Sequence, residues 1–121
     1  MPSHDHLNAL IALVEQGKFV EALQRFYAED AAMQENLTPA RRGLAALVEH
    51  ERGVMASFKE IRGRCARPAF LDGDHAVINW VFDFVDPAGG RRRLDELAHQ
   101  RWRGDKVVEE RFYYDPAQMG G

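Results

Sequence analysis

Between Ala76 and Phe84 the chain alternates strictly. Ala76, Ile78, Trp80, Phe82 and Phe84 fall on one side of an extended strand, and Val77, Asn79, Val81 and Asp83 on the other. The ring-bearing side must be covered, because leaving Trp80, Phe82 and Phe84 in water forfeits about 1.5–3 kcal/mol per side chain. Residues before position 59 repeat instead with the helical period, so helices are available as the cover. Helices followed by a meander of long antiparallel strands define an α+β chain.

Ser3 caps a first helix whose apolar stripe is Leu7, Leu10, Ile11 and Val14, and Gly17 stops it. Phe19, Leu23, Phe26 and Tyr27 predict a second helix ending near Glu29-Asp30, and Ala32–Glu35 leaves room for one short strand. Thr38-Pro39 reads as the start of a third helix, continued by Leu44, Leu47, Val48, Met55 and Phe58. Residues 59–70 form the least regular strand, which Pro68 places at an edge or a bulge. Asp72-Gly73 and Asp86–Gly90 are turns, and residues 92–102 and 106–114 form a final hairpin.

The register of that hairpin decides which polar groups face the helices. A two-residue Gly-Asp turn pairs Gln100 with Glu109 and brings Arg111 inward. A three-residue loop pairs Gln100 with Glu110 and Ala98 with Phe112, matching apolar with apolar, and is the preferred reading.

The whole chain, residues 1–121, reads as a single domain with 45% apolar residues, enough for a core of its own. Sixteen basic against nineteen acidic residues give a net charge of −3, which argues against a nucleic-acid partner. Arg91-Arg92-Arg93, the one basic run, falls in a hairpin loop. A single cysteine, Cys65, fits a reducing compartment, and the run Ala9–Val14 is too short for a membrane span or a signal-peptide core. The expectation is a cytoplasmic protein with no membrane partner. His4-Asp5-His6 reads as helix-start polarity rather than a metal site. No phosphate loop and no Ser/His/Asp arrangement stands out, so neither a metal nor a cofactor is expected.

Leu13-Val14-Glu15-Gln16-Gly17-Lys18, then Ala22-Leu23 and Phe26-Tyr27-Ala28-Glu29-Asp30-Ala31, resemble the opening of SnoaL-like members of the nuclear transport factor 2-like superfamily. Gln100–Val107 running to Phe112-Tyr113-Tyr114-Asp115 resembles their closing hairpin, so the likeness spans about 7–116. It implies a cone-shaped, curved antiparallel sheet wrapped around N-terminal helices (a cystatin-like roll), with a pocket at one end. It also implies sheet-to-sheet homodimers. The superfamily includes ketosteroid isomerases, whose base on the first short strand matches Glu35. Their tyrosine donor would fall at Leu10 and their protonated-acid donor at Ala98, and neither side chain can donate. The superfamily's epoxide hydrolases use an Asp-Arg-Asp cluster that would land near Trp80, Phe82 and Phe112, all aromatic here.

Glu35 is the expected catalytic acid/base. In an apolar pocket beside Trp80 and Phe82, its carboxylate would be desolvated; facing water, it would only cap local amides. The expected ligand-binding wall comprises Met33, Ile78, Trp80, Phe82, Glu96, Ala98, Gln100, Glu110, Phe112 and Tyr114. Glu96 and Glu110 either share protons with Glu35 or pair with some of the thirteen arginines. The side of the third helix that His50 occupies is left open. The outer sheet face, carrying Asn79, Val81, Leu97, His99, Arg101, Arg111 and Tyr113, has the composition of a homodimer interface. Two functions follow. One is a cofactor-free isomerase, cyclase or dehydratase (a lyase) for a hydrophobic cyclic molecule; the other is a non-catalytic dimeric module binding a hydrophobic ligand or a protein.

Overall fold

The computed structural model describes residues 1–120. Its order is α1 (His4–Glu15), α2 (Phe19–Phe26), β1 (Tyr27–Glu35), β2 (Arg41–Arg42), α3 (Leu44–Ser57), β3 (Glu60–Cys65), β4 (Phe70–Asp72), β5 (His75–Val85), β6 (Arg91–Arg103), β7 (Lys106–Tyr113) and a closing 3-10 turn (Pro116–Met119). Three helices cover one face of a curved, unclosed mixed sheet of order β2-β1-β7-β6-β5-β3, with β4 also paired to β5. Among the described residues no helix is long and apolar enough to cross a membrane.

Ser3 caps α1 as its sequence predicts, in a reciprocal box with the His6 ring. That bond uses His6 for the cap. The α1 stripe buries Leu7, Leu10 and Ile11, and Gly17 ends the helix at φ 78°, a conformation that favours glycine. The second helix is shorter than its stripe suggests. Tyr27 is already extended, at φ −106° and ψ 138°, because it opens β1 opposite Val107 of β7. That pairing is parallel, the one parallel ladder in a sheet expected to be antiparallel throughout.

Thr38-Pro39 does not start α3. Thr38 donates its hydroxyl and its amide to the Glu35 carbonyl, closing a turn through Asn36 at φ 51°. Arg41 and Arg42 then pair back onto Met33 and Ala32, and Gly43 at φ 94° leads into the helix. Leu47 and Val48 are buried in α3, whereas Met55 is exposed. Pro68 lies between β3 and β4, which occupy successive stretches of the same β5 edge.

In the final hairpin, Arg103 faces Lys106 across a two-residue Gly104-Asp105 turn, not the expected three-residue loop. The inner register is nevertheless the expected one: Gln100 faces Glu110 and Ala98 faces Phe112. A bulge reconciles the two. Trp102 faces Val107 and Arg101 faces Glu109, so Val108 is the extra residue, and Val107 and Val108 are both buried.

Candidate active site: an acid-lined apolar cavity

Cross-strand rows on the inner face set the site. Ala76, Gln100, Glu110 and Met33 form one row; Ile78, Ala98, Phe112 and Glu35 the next; Cys65, Trp80 and Glu96 a third. Helices α1, α2 and α3 cover this face without filling it. An inner compartment of about 90 Å³ lies between Leu10, Leu23, Tyr27, Trp80, Glu51 and Glu110. An outer one of about 170 Å³ continues past Glu35, Arg41, His50, Glu96 and Phe84. Phe19, Met33, Glu51, Phe82 and Phe112 border both, so the two chambers are adjacent and share a wall.

At the inner end Glu110 is 3% exposed and held on both oxygens. Tyr27 donates its hydroxyl to Oε1, and Gln100 Nε2 donates to Oε2 at 2.7 Å. Gln100 is itself fixed by Trp102, whose indole N–H donates to Gln100 Oε1 at 3.1 Å. Burial pushes the Glu110 carboxyl up to about 7, against the pull of its two hydrogen bonds. The Tyr27 phenol is raised by burial and by Glu110 beside it.

Glu96 differs. It is 7% exposed, no side-chain hydrogen bond reaches its carboxyl among the described residues, and it opens onto the outer chamber. Burial, then the neighbouring Glu110, Glu35 and Glu51, push it up to about 8. Glu51 is raised by burial and by Glu35. Among the described residues no arginine pairs with any of these four carboxyls, and the ion pairs lie elsewhere, as in Arg67–Glu15 and Arg101–Glu109.

Of the residues expected to form the ligand-binding wall, Met33, Trp80, Phe82, Glu96, Glu110 and Phe112 line the cavity. Glu35 lines the outer chamber with Phe82, but it is exposed rather than sealed in apolar surroundings. Ile78, Ala98 and Gln100 sit beneath the lining with no exposure, and Gln100 touches the cavity only through Glu110. Tyr114 is half-buried near the rim, its phenol raised by burial and by Glu35 and Glu96. Glu51, Arg41, Tyr27 and Phe19 are lining residues that sequence reasoning missed. Glu51 had a signal: Leu44, Leu47, Val48 and Glu51 share one helical face. His50 faces the outer chamber.

A larger hollow of about 370 Å³ lies on the outer face. Several of its polar groups already have partners: Arg101 with Glu109, Arg111 with the Asn36 carbonyl, and His75 with His99 at 2.9 Å. The inner cavity, with its unpaired acids, is the candidate site.

Three helices over one face of a curved, unclosed mixed sheet give the ketosteroid isomerase-like, nuclear transport factor 2-like class of fold. Residues 7–110 match the SnoaL-like domain model, and the chain belongs to that family. It is similar to a candidate SnoaL-like polyketide cyclase from Mesorhizobium loti, at 26% identity and TM-score 0.82, over 94% of this chain and 100% of that one. TerC, crystallised with polyporic acid, shares the fold at 16% identity and TM-score 0.81, over 96% and 93%. So does a Catenulispora acidiphila protein with a ketosteroid isomerase-like fold, in complex with trimethylamine, at 18% identity and TM-score 0.79, over 98% and 94%. No curated protein matches the chain in sequence.

Proposed function

We propose that the cavity binds a hydrophobic cyclic molecule and catalyses cofactor-free proton transfer on it, as an isomerase, cyclase or dehydratase. Glu35 is the proton-carrying base at the mouth, and Glu96 is the acid. The observation carrying this reading is the Glu96 carboxyl: buried, without a hydrogen-bond partner, and open to a chamber it shares with Glu35. A carboxyl kept neutral near pH 7 can donate a hydrogen bond or a proton to a carbonyl, while a more exposed carboxylate removes one from carbon. This arrangement would supply the donors that Leu10 and Ala98 cannot.

The probe reaction is deuterium exchange at the α-carbon of 2-tetralone, an enolisable cyclic ketone sized for the two chambers. The protein should accelerate exchange. Glu35→Gln should lower the rate by about 10²–10⁴-fold while leaving 2-tetralone affinity within a few-fold. Binding without exchange in the native protein favours the second reading, a non-catalytic ligand-binding module. That reading is supported by the apolar side chains at Leu10 and Ala98. In either case we propose that two copies associate through the outer sheet face, where Leu97 and Tyr113 are 47% and 41% exposed.

A further inference from the structure

We propose that the cavity selects a hydrophobic amine, held as its ammonium ion with Glu96 as the counter-ion. The inference rests on the reading of this cavity as a ligand site and deepens its second, binding-module form, because a Glu96 ionised as counter-ion no longer donates a proton. The inner chamber contains Glu51 and Glu110 and no basic side chain. Glu35 and Glu96 join Glu51 in the outer chamber, whose lining also includes the basic side chains Arg41 and His50. No ion pair compensates any of the four acids.

Glu96 is the independent mark of a missing partner. More than nine-tenths of the residue is buried, its carboxyl borders the chamber, and the protein supplies no donor to it. Its carboxyl oxygens have no protein donor and stay accessible from the chamber, so a ligand in the chamber can reach them directly. The remaining wall suits a cation with apolar substituents, because Phe19, Phe82 and Phe112 border both chambers and aromatic faces attract ammonium groups.

Proton balance is simple. A neutral amine takes the Glu96 proton, leaving carboxylate and ammonium in contact. A quaternary ammonium, which cannot accept a proton, instead drives it into solvent. The Glu96 carboxyl stands at about 8, so giving up its proton at pH 7 costs only about a tenfold factor. The charged and titratable groups around it are Glu35, Arg41, His50, Glu51, Glu110 and Tyr114.

The test uses three probes of one shape class at pH 7 in calorimetry and ligand-observed NMR: benzyltrimethylammonium, its uncharged isostere neopentylbenzene, and phenylacetate. The expected order is benzyltrimethylammonium tightest, by at least about tenfold over neopentylbenzene, and phenylacetate weakest. Binding of the quaternary ion should release close to one proton. Glu96→Gln should remove most of the cation preference and the proton release, while neopentylbenzene binding persists as evidence of a folded, open cavity. Equal or tighter binding of neopentylbenzene to the native protein overturns the charge inference and leaves the cavity reading standing. Cation preference that survives Glu96→Gln overturns the assignment to Glu96. Binding of none of the three overturns both.

Discussion

Gln100 Nε2 lies 2.7 Å from Glu110 Oε2, and that contact exists because Val108 bulges. Without the extra residue, a two-residue turn would set Gln100 opposite Glu109 and leave Glu110 on the other face. One bulge therefore places an acid at the inner end of the cavity and its donor beside it.

Stability should fall as pH rises through the titration of these acids. Glu110 and Glu96 stand at about 7 and about 8 in the folded chain, against an ordinary 4.5. Between those limits the folded chain binds more protons than the unfolded chain, so the slope of stability with pH is negative. The carboxyls lowered by ion pairs, Glu15 and Glu109 among them, are lost as stabilisers only below about pH 4.5, outside this window. Thermal unfolding from pH 5 to 9 should show a declining Tm, worth on the order of a few kcal/mol across the window. Glu96→Gln should flatten the decline; a Tm that rises across the window contradicts the account.

Tyr27→Phe removes one of the two donors to a buried carboxyl. It should cost about 1–3 kcal/mol in urea denaturation, because Glu110 Oε1 keeps its desolvation and loses its partner. The same change should move the Glu110 titration further up, since that hydrogen bond lowers it. Carboxyl carbon NMR reads this shift directly.

The two-layer fold and the inner row of β5 were legible because a period of two admits few alternatives. Trp80 is buried, Phe82 and Phe84 share its face, and the Gln100–Glu110 pairing followed from matching apolar partners. The start of β1 was not legible. Tyr27 continues the helical stripe of α2, and what turns it into a strand is Val107, about eighty residues away. Thr38-Pro39 carries a genuine helix-start signal, which the hydrogen bonds to the Glu35 carbonyl override. Glu51 was hidden because local pattern assigns a charged residue to water. Its spacing from Leu44, Leu47 and Val48 places it on the apolar face of α3, and the assembled cavity shows what that face meets.

Gly63 faces Phe82 across the β3–β5 ladder, and a Cβ at Gly63 would come within 2.5 Å of the Phe82 ring. Gly63→Ala must push that ring toward the cavity, since Phe82 borders both chambers. The expected cost is about 1–3 kcal/mol in denaturation, with at least a several-fold loss of 2-tetralone affinity. Unchanged affinity would show that Phe82 does not set the size of the cavity.

Association through the outer face predicts a dimer by sedimentation at micromolar concentration. Leu97→Asp should shift it to monomer while leaving the unfolding free energy of the single chain within about 1 kcal/mol of native, since Leu97 is 47% exposed. A monomeric native protein under these conditions removes the interface.

Glu96 is the acid on which the proposed chemistry of the cavity turns, a buried residue whose carboxyl accepts no hydrogen bond among the described residues. Its side-chain carboxyl carbon, followed by NMR in selectively labelled protein from pH 4 to 10, should titrate with a midpoint near 8. Glu35→Gln and Glu51→Gln should each lower that midpoint, because both neighbouring carboxylates raise it. A midpoint for Glu96 in the ordinary carboxylate range, near 4.5, would contradict the account.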